Sequence, residues 1–130
     1  MIKLKSLLIE RIDYHETAEQ LVKDYGLRSK VKFGSVRGGN KGHYDWKKDI
    51  INLKSSYPSV KEFIITVLHE IDHAKDRKKM GWRKYEKEYQ KAGDIATNKG
   101  RDFHDDNAFE EKAEDWARKE YSRKWSQKFK

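Results

Sequence analysis

Residues 59–79 read SVKEFIITVLHEIDHAKDRKK, and this stretch decides the fold. Ser59, followed three residues later by Glu62, is a capping-box pattern, which predicts that a helix begins here. The helix is expected to run to about Lys79, ahead of Gly81. Its apolar side chains recur every three or four residues and are Val60, Phe63, Ile64, Val67, Leu68, Ile71 and Ala74. This long, regular spacing indicates that one face of the helix packs in the core.

The same helix carries the pattern His-Glu-x-x-His at residues 69–73. Histidines four residues apart lie one helical turn from each other, so His69 and His73 can reach one metal ion. Glu70 can then accept a proton from a water molecule that the ion activates. Chance gives this pattern in roughly 1–2% of chains of this composition, so two unrelated surface histidines are the weaker interpretation. At about 100° per residue, both histidines point away from the apolar stripe, as a helix that lines a cleft requires.

A catalytic zinc site needs a third protein ligand, and the downstream candidates are His104, Glu110 and Glu111. A last helix is predicted from about Asn107 to Gln127. Its inward side carries Phe109, Ala113, Trp116, Ala117 and Tyr121. Glu110 falls at the edge of this side, where a carboxylate needs a partner such as a cation, whereas Glu111 points to solvent. Glu110 is therefore the preferred ligand and His104 the alternative, and attraction to the helix N-terminus explains Glu111 better.

The rest of the chain predicts one α+β domain over residues 1–130. A helix is expected from about His15 to Tyr25, and residues 1–12 fit either a strand or a short helix. Two strand-like runs follow, one through Val31, Phe33 and Val36 and a second from His43 to Leu53, with a glycine-rich turn at 38–42 between them. Residues 82–92 are expected to be a polar helix, and Gly93 to Arg101 a loop.

The composition limits the chemistry. Charged residues make up 40% of the 130 residues and hydrophobic ones 35%, but 12% aromatic residues still indicate a packed core. Cysteine is absent, so disulfides, thiolate nucleophiles and cysteine-held metals are excluded, and any metal must be bound by His, Asp or Glu. No apolar stretch approaches the roughly 18 residues of a membrane span, and no signal peptide is recognised. A cytoplasmic monomer is expected.

The net charge of +8 is unevenly distributed. Residues 76–101 and 118–130 are basic, whereas 102–117 hold seven acidic groups and one basic group. Aromatic residues stand among the basic ones, as in proteins that stack on nucleic-acid bases. The basic clusters are Lys78, Lys79, Arg83, Lys84 and Lys87 with Trp82 and Tyr85, and Arg118 to Lys130 with Tyr121 and Trp125. Nucleic acid is the less favoured partner, because no nucleic-acid-binding motif is present and aromatic residues on helices more often pack inside.

Residues 66–74 (TVLHEIDHA) and 107–117 (NAFEEKAEDWA) resemble the zincin metalloproteases. They are most similar to the minimal Glu-zincins related to ImmA/IrrE-type proteases and to small phage-encoded metallopeptidases, and more distantly to SprT-like proteases, in which His104 would be the third ligand. The resemblance implies a zincin-like α+β fold, with a small mixed or antiparallel sheet beside the His-Glu-x-x-His helix and helices at both ends. It implies zinc held by His69, His73 and Glu110, with Ala113 and Trp116-Ala117 as the packing face of the third-ligand helix.

The implied function is that of a hydrolase, a zinc metalloprotease in which Glu70 is the general base and the substrate is a protein or peptide. Extended substrate would pair with an edge strand over His43 to Leu53; its residues are Tyr44, Trp46, Ile50 and Ile51. The donor that stabilises the transition state is open among His104, Tyr121, Tyr89 and Tyr44. Asp72, where many members carry Gly or Ala, and Asp76 are the nearest acids for contacts to the imidazoles, but both are expected to be solvated. The alternative function is a catalytically weak zincin-fold binding or regulatory module, associated with nucleic acid through its basic surface.

Overall fold

The structure, a computed structural model, describes residues 13–34, 36 and 39–128. In chain order its elements are α1 (Tyr14–Asp24), β1 (Lys30–Phe33), β2 (Gly42–Asp45), β3 (Ile50–Leu53), α2 (Val60–Met80), α3 (Trp82–Asn98) and α4 (Ala108–Glu120). A π-helical turn, Tyr121–Trp125, follows α4 directly. Four helices and a small mixed sheet make an α+β fold, which confirms the predicted class. The expectation for residues 1–12 lies outside the described residues.

The sheet differs from the predicted pair of strands. Its order is β1-β3-β2, with β2 and β3 antiparallel and β1 parallel to β3. A single strand from His43 to Leu53 is therefore wrong, and so is a direct return of the chain from β1 onto that strand. The chain turns at residues 46–49, where the Asp45 carboxylate accepts hydrogen bonds from the backbone N–H groups of Lys47 and Lys48. This turn joins β2 to β3 as antiparallel neighbours, and because β1 pairs with the other side of β3, β2 is an edge strand among the described strands.

Helix α2 begins and ends as its sequence predicts. The Ser59 hydroxyl accepts a hydrogen bond from the backbone N–H of Glu62, and Gly81 ends the helix with a φ of 86°. More of this helix is buried than its apolar face, because every residue from 63 to 68 is buried. The helix packs against the sheet and against α1, α3 and α4. It is the central element of the fold, and its histidine side is covered as well.

Helix α3 continues through the segment predicted to be a loop. Gly93 was expected to end it, and glycine inside a helix is less stable than alanine by about 1 kcal/mol. The structure gives a reason for glycine at this position: a Cβ atom there would lie 2.3 Å from the Phe103 ring. The ring packs directly on the helix backbone, so the glycine marks a close contact rather than a helix end.

Helix α4 begins where predicted and ends earlier. The side chain of Asn107 accepts a hydrogen bond from the backbone N–H of Phe109 and caps the helix. Ala113 and Ala117 are fully buried, and their small side chains allow α4 to lie close to α2. Regular helix stops at Glu120 rather than near Gln127. Among the described residues, no helix is long and apolar enough to cross a membrane.

Candidate metal centre

Three side chains from α2 and α4 converge on one point. Nε2 of His69 lies 2.7 Å from Oε1 of Glu110, and Nε2 of His73 lies 2.9 Å from the same oxygen. One candidate ligand atom from each of the three residues lies within 4.8 Å of the other two. Within the part of the chain that the structure describes, this is the one group of three such residues. It could hold a metal ion.

The electrostatics of this group favour a cation. Burial alone would raise the pKa of Glu110, but hydrogen bonds from His104, His69 and His73 hold that pKa far below its usual range. Burial alone would lower the pKa of His69, yet its hydrogen bonds to Glu110 and Glu114 raise it to about 10. A proton on His69 therefore neutralises a buried carboxylate in the metal-free protein. A divalent cation bound by the same atoms can take over that role.

Two further residues orient the imidazoles. His69 donates from Nδ1 to Oε1 of Glu114 at 3.0 Å, and this bond lowers the pKa of Glu114 to about 2. The Tyr85 hydroxyl forms a hydrogen bond of 2.9 Å with Nδ1 of His73. Such partners fix the ring so that Nε2 faces the metal position. Sequence reasoning did not assign these roles. The spacing of Glu110 and Glu114, four residues apart on one helix, was a usable signal, whereas nothing in the sequence connects Tyr85 with His73.

Glu70 lies beside the ligands and is 5% exposed. Burial raises the pKa of its carboxyl group, although the neighbouring histidines act in the opposite direction. Its Oε2 faces the first residue of β2, because a Cβ atom built on Gly42 would lie only 2.8 Å from it. Glu70 and the three candidate ligands all line one cleft of about 390 Å³. The cleft is bounded by β2, α2, α3, α4 and the α3–α4 loop.

His104 and Tyr121, predicted as an alternative ligand or a transition-state donor, lie in different parts of the fold. Nε2 of His104 lies 3.3 Å from Oε2 of Glu110, and the half-exposed imidazole lines the cleft, so His104 borders the group without joining it. Tyr121 is not brought to the site, because it lies in the π-helical turn and packs in the hydrophobic core. The Tyr89 hydroxyl donates to Oε2 of Glu110 at 2.5 Å. The Tyr44 hydroxyl donates to Asp49, although Tyr44 also lines the cleft.

The predicted substrate strand is only partly at an edge. Tyr44 lies on β2, an edge strand, and Trp46 follows in the turn; both line the cleft. Ile50 and Ile51 were predicted for the same edge, which is wrong. They lie on β3, whose two sides pair with β1 and β2, so their backbone has no side free for a substrate.

Asp72 and Asp76 are buried, not solvated as expected. Nζ of Lys112 lies 2.8 Å from Oδ2 of Asp72 and 2.9 Å from Oδ2 of Asp76. The prediction failed because it assumed that this side of α2 was open, whereas α4 covers it. Neither aspartate is the hydrogen-bond partner of an imidazole; Glu114 and Tyr85 are.

The aromatic residues of the two basic clusters are mostly unavailable to bases. Tyr85, Tyr121 and Trp125 are buried, and Trp82 is half-buried with the Arg83 guanidinium 5.2 Å from its ring. The stacking feature that suggested nucleic acid is therefore largely absent from the described surface. Nucleic-acid binding stays a prediction.

Comparisons with protein-family models, with curated proteins and with solved structures found no match. The likeness to Glu-zincins therefore stays a resemblance carried by residues 66–74 and 107–117. The convergence of His69, His73 and Glu110 is an independent observation of the structure.

Proposed function

We propose that this protein is a zinc-dependent metallopeptidase that hydrolyses peptide bonds, with Glu70 as the general base. The observation that supports it best is the convergence of His69, His73 and Glu110 in a cleft that also contains a buried glutamate. Two imidazoles and one carboxylate form a common ligand set of catalytic zinc, and they leave a fourth position open. Calcium and magnesium prefer oxygen ligands, so zinc suits this set better.

A zinc ion held by His69, His73 and Glu110 would supply a Lewis acid that polarises the amide carbonyl and lowers the pKa of water. Glu70 would accept a proton from the attacking water and deliver it to the leaving amine. Its burial favours this role, because a raised pKa makes the carboxylate a stronger base than that of an exposed glutamate. Glu114 and Tyr85 hold the two imidazoles in the orientation that the ligand set needs.

The cleft also suits an extended peptide. Strand β2 offers a backbone edge to which a substrate can add as a further strand. His104 lies across the cleft with a half-exposed ring next to Glu110. It is the most exposed of the four donor candidates, whereas Tyr44, Tyr89 and Tyr121 are buried. We therefore assign His104 to stabilise the oxygen that becomes negative in the transition state, in exchange for its present contact with Glu110.

The test compares the wild-type protein with Glu70→Gln and His69→Ala, all purified without added zinc. We expect close to one equivalent of zinc by mass spectrometry in the wild type and in Glu70→Gln, and less than about 0.2 equivalents in His69→Ala. Hydrolysis of a mixed peptide library should fall by at least about 100-fold in Glu70→Gln. A wild type with less than about 0.2 equivalents of metal would contradict the metal site.

The same variants distinguish the peptidase function from the alternative, a regulatory module with a zincin fold. If Glu70→Gln keeps zinc and full biological activity, hydrolysis is not the function of the site. Gel-shift titration with duplex DNA at two salt concentrations tests the nucleic-acid version of this alternative, because phosphate contacts make binding strongly salt-dependent.

A further inference from the structure

Part of the cleft lining is an aromatic wall made of Trp46, Tyr89 and Phe103. The Trp46 and Tyr89 ring centroids are 5.2 Å apart, and those of Tyr89 and Phe103 are 6.4 Å apart. The three rings come from the β2–β3 turn, from α3 and from the α3–α4 loop, and all three line the cleft. Tyr89 stands in the middle and contacts both outer rings.

The polar atoms of the aromatic wall are already used. Nε1 of Trp46 donates to the Glu86 carboxylate at 2.8 Å, and the Tyr89 hydroxyl donates to Glu110 at 2.5 Å. Phe103 has no polar side-chain atom. The wall therefore offers ring carbons to anything that enters the cleft, and an acidic side chain placed there would lose hydration beside the carboxylates of Glu86 and Glu110.

The two outer rings are held in place although each is only half-buried. The backbone carbonyl of Trp46 accepts a hydrogen bond of 2.8 Å from Nε of Arg77. Phe103 packs on Gly93, where even a methyl group would collide with its ring. A preformed apolar surface of this kind binds without the entropic cost of ordering its own side chains.

The aromatic wall adjoins the candidate metal centre. The Tyr89 ring lies 6.4 Å from the His73 ring, and its hydroxyl is bonded to the carboxylate of Glu110. Trp46 follows the last residue of β2 directly, so a peptide paired with β2 extends toward it. Consecutive residues of an extended chain are about 3.3 Å apart, which brings a side chain next to the scissile bond within reach of the wall.

From these contacts we infer that the aromatic wall is a specificity subsite, which binds a large apolar, preferably aromatic, side chain of the substrate residue next to the scissile bond. This assignment rests on the proposed peptidase function and adds the substrate class. Aromatic side chains should bind most tightly, because offset and edge-to-face contacts between rings add stabilisation to that from buried apolar surface.

The first measurement is the cleavage profile of a proteome-derived peptide library, read by mass spectrometry with the zinc-loaded protein. We expect Phe, Tyr, Trp, Leu and Met to be enriched about tenfold over Asp and Glu at one position beside the cleaved bond. Phe103→Ala should reduce this enrichment below about threefold, and Phe103→Leu should restore part of it. Trp82→Ala, which removes a half-buried ring of α3 outside the cleft, is the matched control and should keep the wild-type profile.

The second measurement needs neither zinc nor catalysis. N-acetyl-phenylalaninamide, titrated at millimolar concentration into the metal-free protein, should shift the Trp46 indole N–H signal in NMR spectra, whereas the corresponding aspartic acid derivative should not. Phe103→Ala should weaken this binding at least about fivefold. A wild type that cleaves nothing but binds the phenylalanine amide at Trp46 would overturn the peptidase function, and with it the role beside a scissile bond, and would leave the aromatic wall only as a binding site for aromatic side chains. Cleavage without side-chain preference, or one profile shared by Phe103→Ala and the wild type, would overturn the subsite alone.

Discussion

Gly42→Ala should strongly reduce the proposed peptidase activity while leaving the three candidate metal ligands in place. Gly42 is the first residue of β2 and lies against α2 without a side chain between them. An alanine Cβ there would lie 2.8 Å from Oε2 of Glu70 and 2.9 Å from Cγ2 of Thr66. The substitution therefore acts on the proposed general base and does not touch any of the three candidate ligands.

The magnitude follows from these distances. Ordinary contacts of a Cβ atom begin at about 3.4 Å, so the neighbours must retreat by roughly 0.5 Å. The strand cannot easily supply that movement, because the Asn52 carbonyl oxygen would already be 3.3 Å from the new methyl group. A catalytic group misplaced by up to about 1 Å can reduce the rate roughly 100-fold, or about 2.7 kcal/mol of barrier. Overpacking should also lower the free energy of unfolding by a net amount of about 1–2 kcal/mol. This net value includes the smaller stabilisation that alanine gives by restricting the unfolded chain.

The assay measures kcat on a fluorogenic peptide, zinc content and melting temperature in parallel. Gly39→Ala is the matched control, since a Cβ atom at Gly39 has no neighbour within 4 Å; its kcat should stay within about twofold of the wild type. We expect Gly42→Ala to keep one equivalent of zinc and lose most of its kcat. A kcat within threefold of the wild type would refute the close approach of β2 to Glu70, and simultaneous loss of zinc would refute the separation of base from ligands.

Three further outcomes test other parts of the site. Lys112→Met leaves the two aspartates of α2 buried without a cation and should lower the free energy of unfolding by about 2 kcal/mol in a urea titration. The control is Lys119→Met, which breaks an exposed ion pair and should change that free energy by less than about 0.5 kcal/mol. Zinc must displace the proton from His69, whose pKa in the metal-free protein is about 10. The affinity for zinc should therefore rise with pH between 7 and 9. Calorimetry in two buffers of different ionisation enthalpy should detect at least one proton released per zinc at pH 8. Tyr85→Phe removes the hydrogen-bond partner of His73 and should weaken zinc binding about 10–100-fold in a chelator competition, while an unchanged affinity would show that packing alone orients the ring.

The cluster of candidate ligands was predictable because its determinants are local. Helical spacing places His69 and His73 on one side of α2 without any knowledge of the fold. Glu110 was preferred over Glu111 by the angle at which it leaves α4, and the structure buries Glu110 and leaves Glu111 exposed. Each of these inferences needs only the geometry of a single helix and the rule that a buried carboxylate requires a partner.

The wrong predictions have a different origin, because each concerned a feature that is set by which other element packs against a helix or strand. Gly93 ends a helix by local rules, but here it admits the Phe103 ring from a distant loop. Asp72 was expected to be solvated because the apolar stripe of α2 indicates one buried face. The stripe carries no information about the other side of the helix, which α4 covers. Ile51 is strand-like by composition, yet composition does not tell a central strand from an edge strand.

The polar interior between α2 and α4 explains why one group of buried acids is a candidate metal site and another is not. Two groups of buried acids lie along this interface. The first, Asp72 and Asp76, already has a permanent cation in Lys112, whose ammonium lies within 2.9 Å of both. The second is Glu110, and its nearest cationic partners are imidazoles, which carry charge only while they hold a proton. A buried carboxylate balanced by a replaceable proton, with two imidazole Nε2 atoms within 2.9 Å of it, is a site that a divalent cation can enter without leaving any fixed charge unpaired.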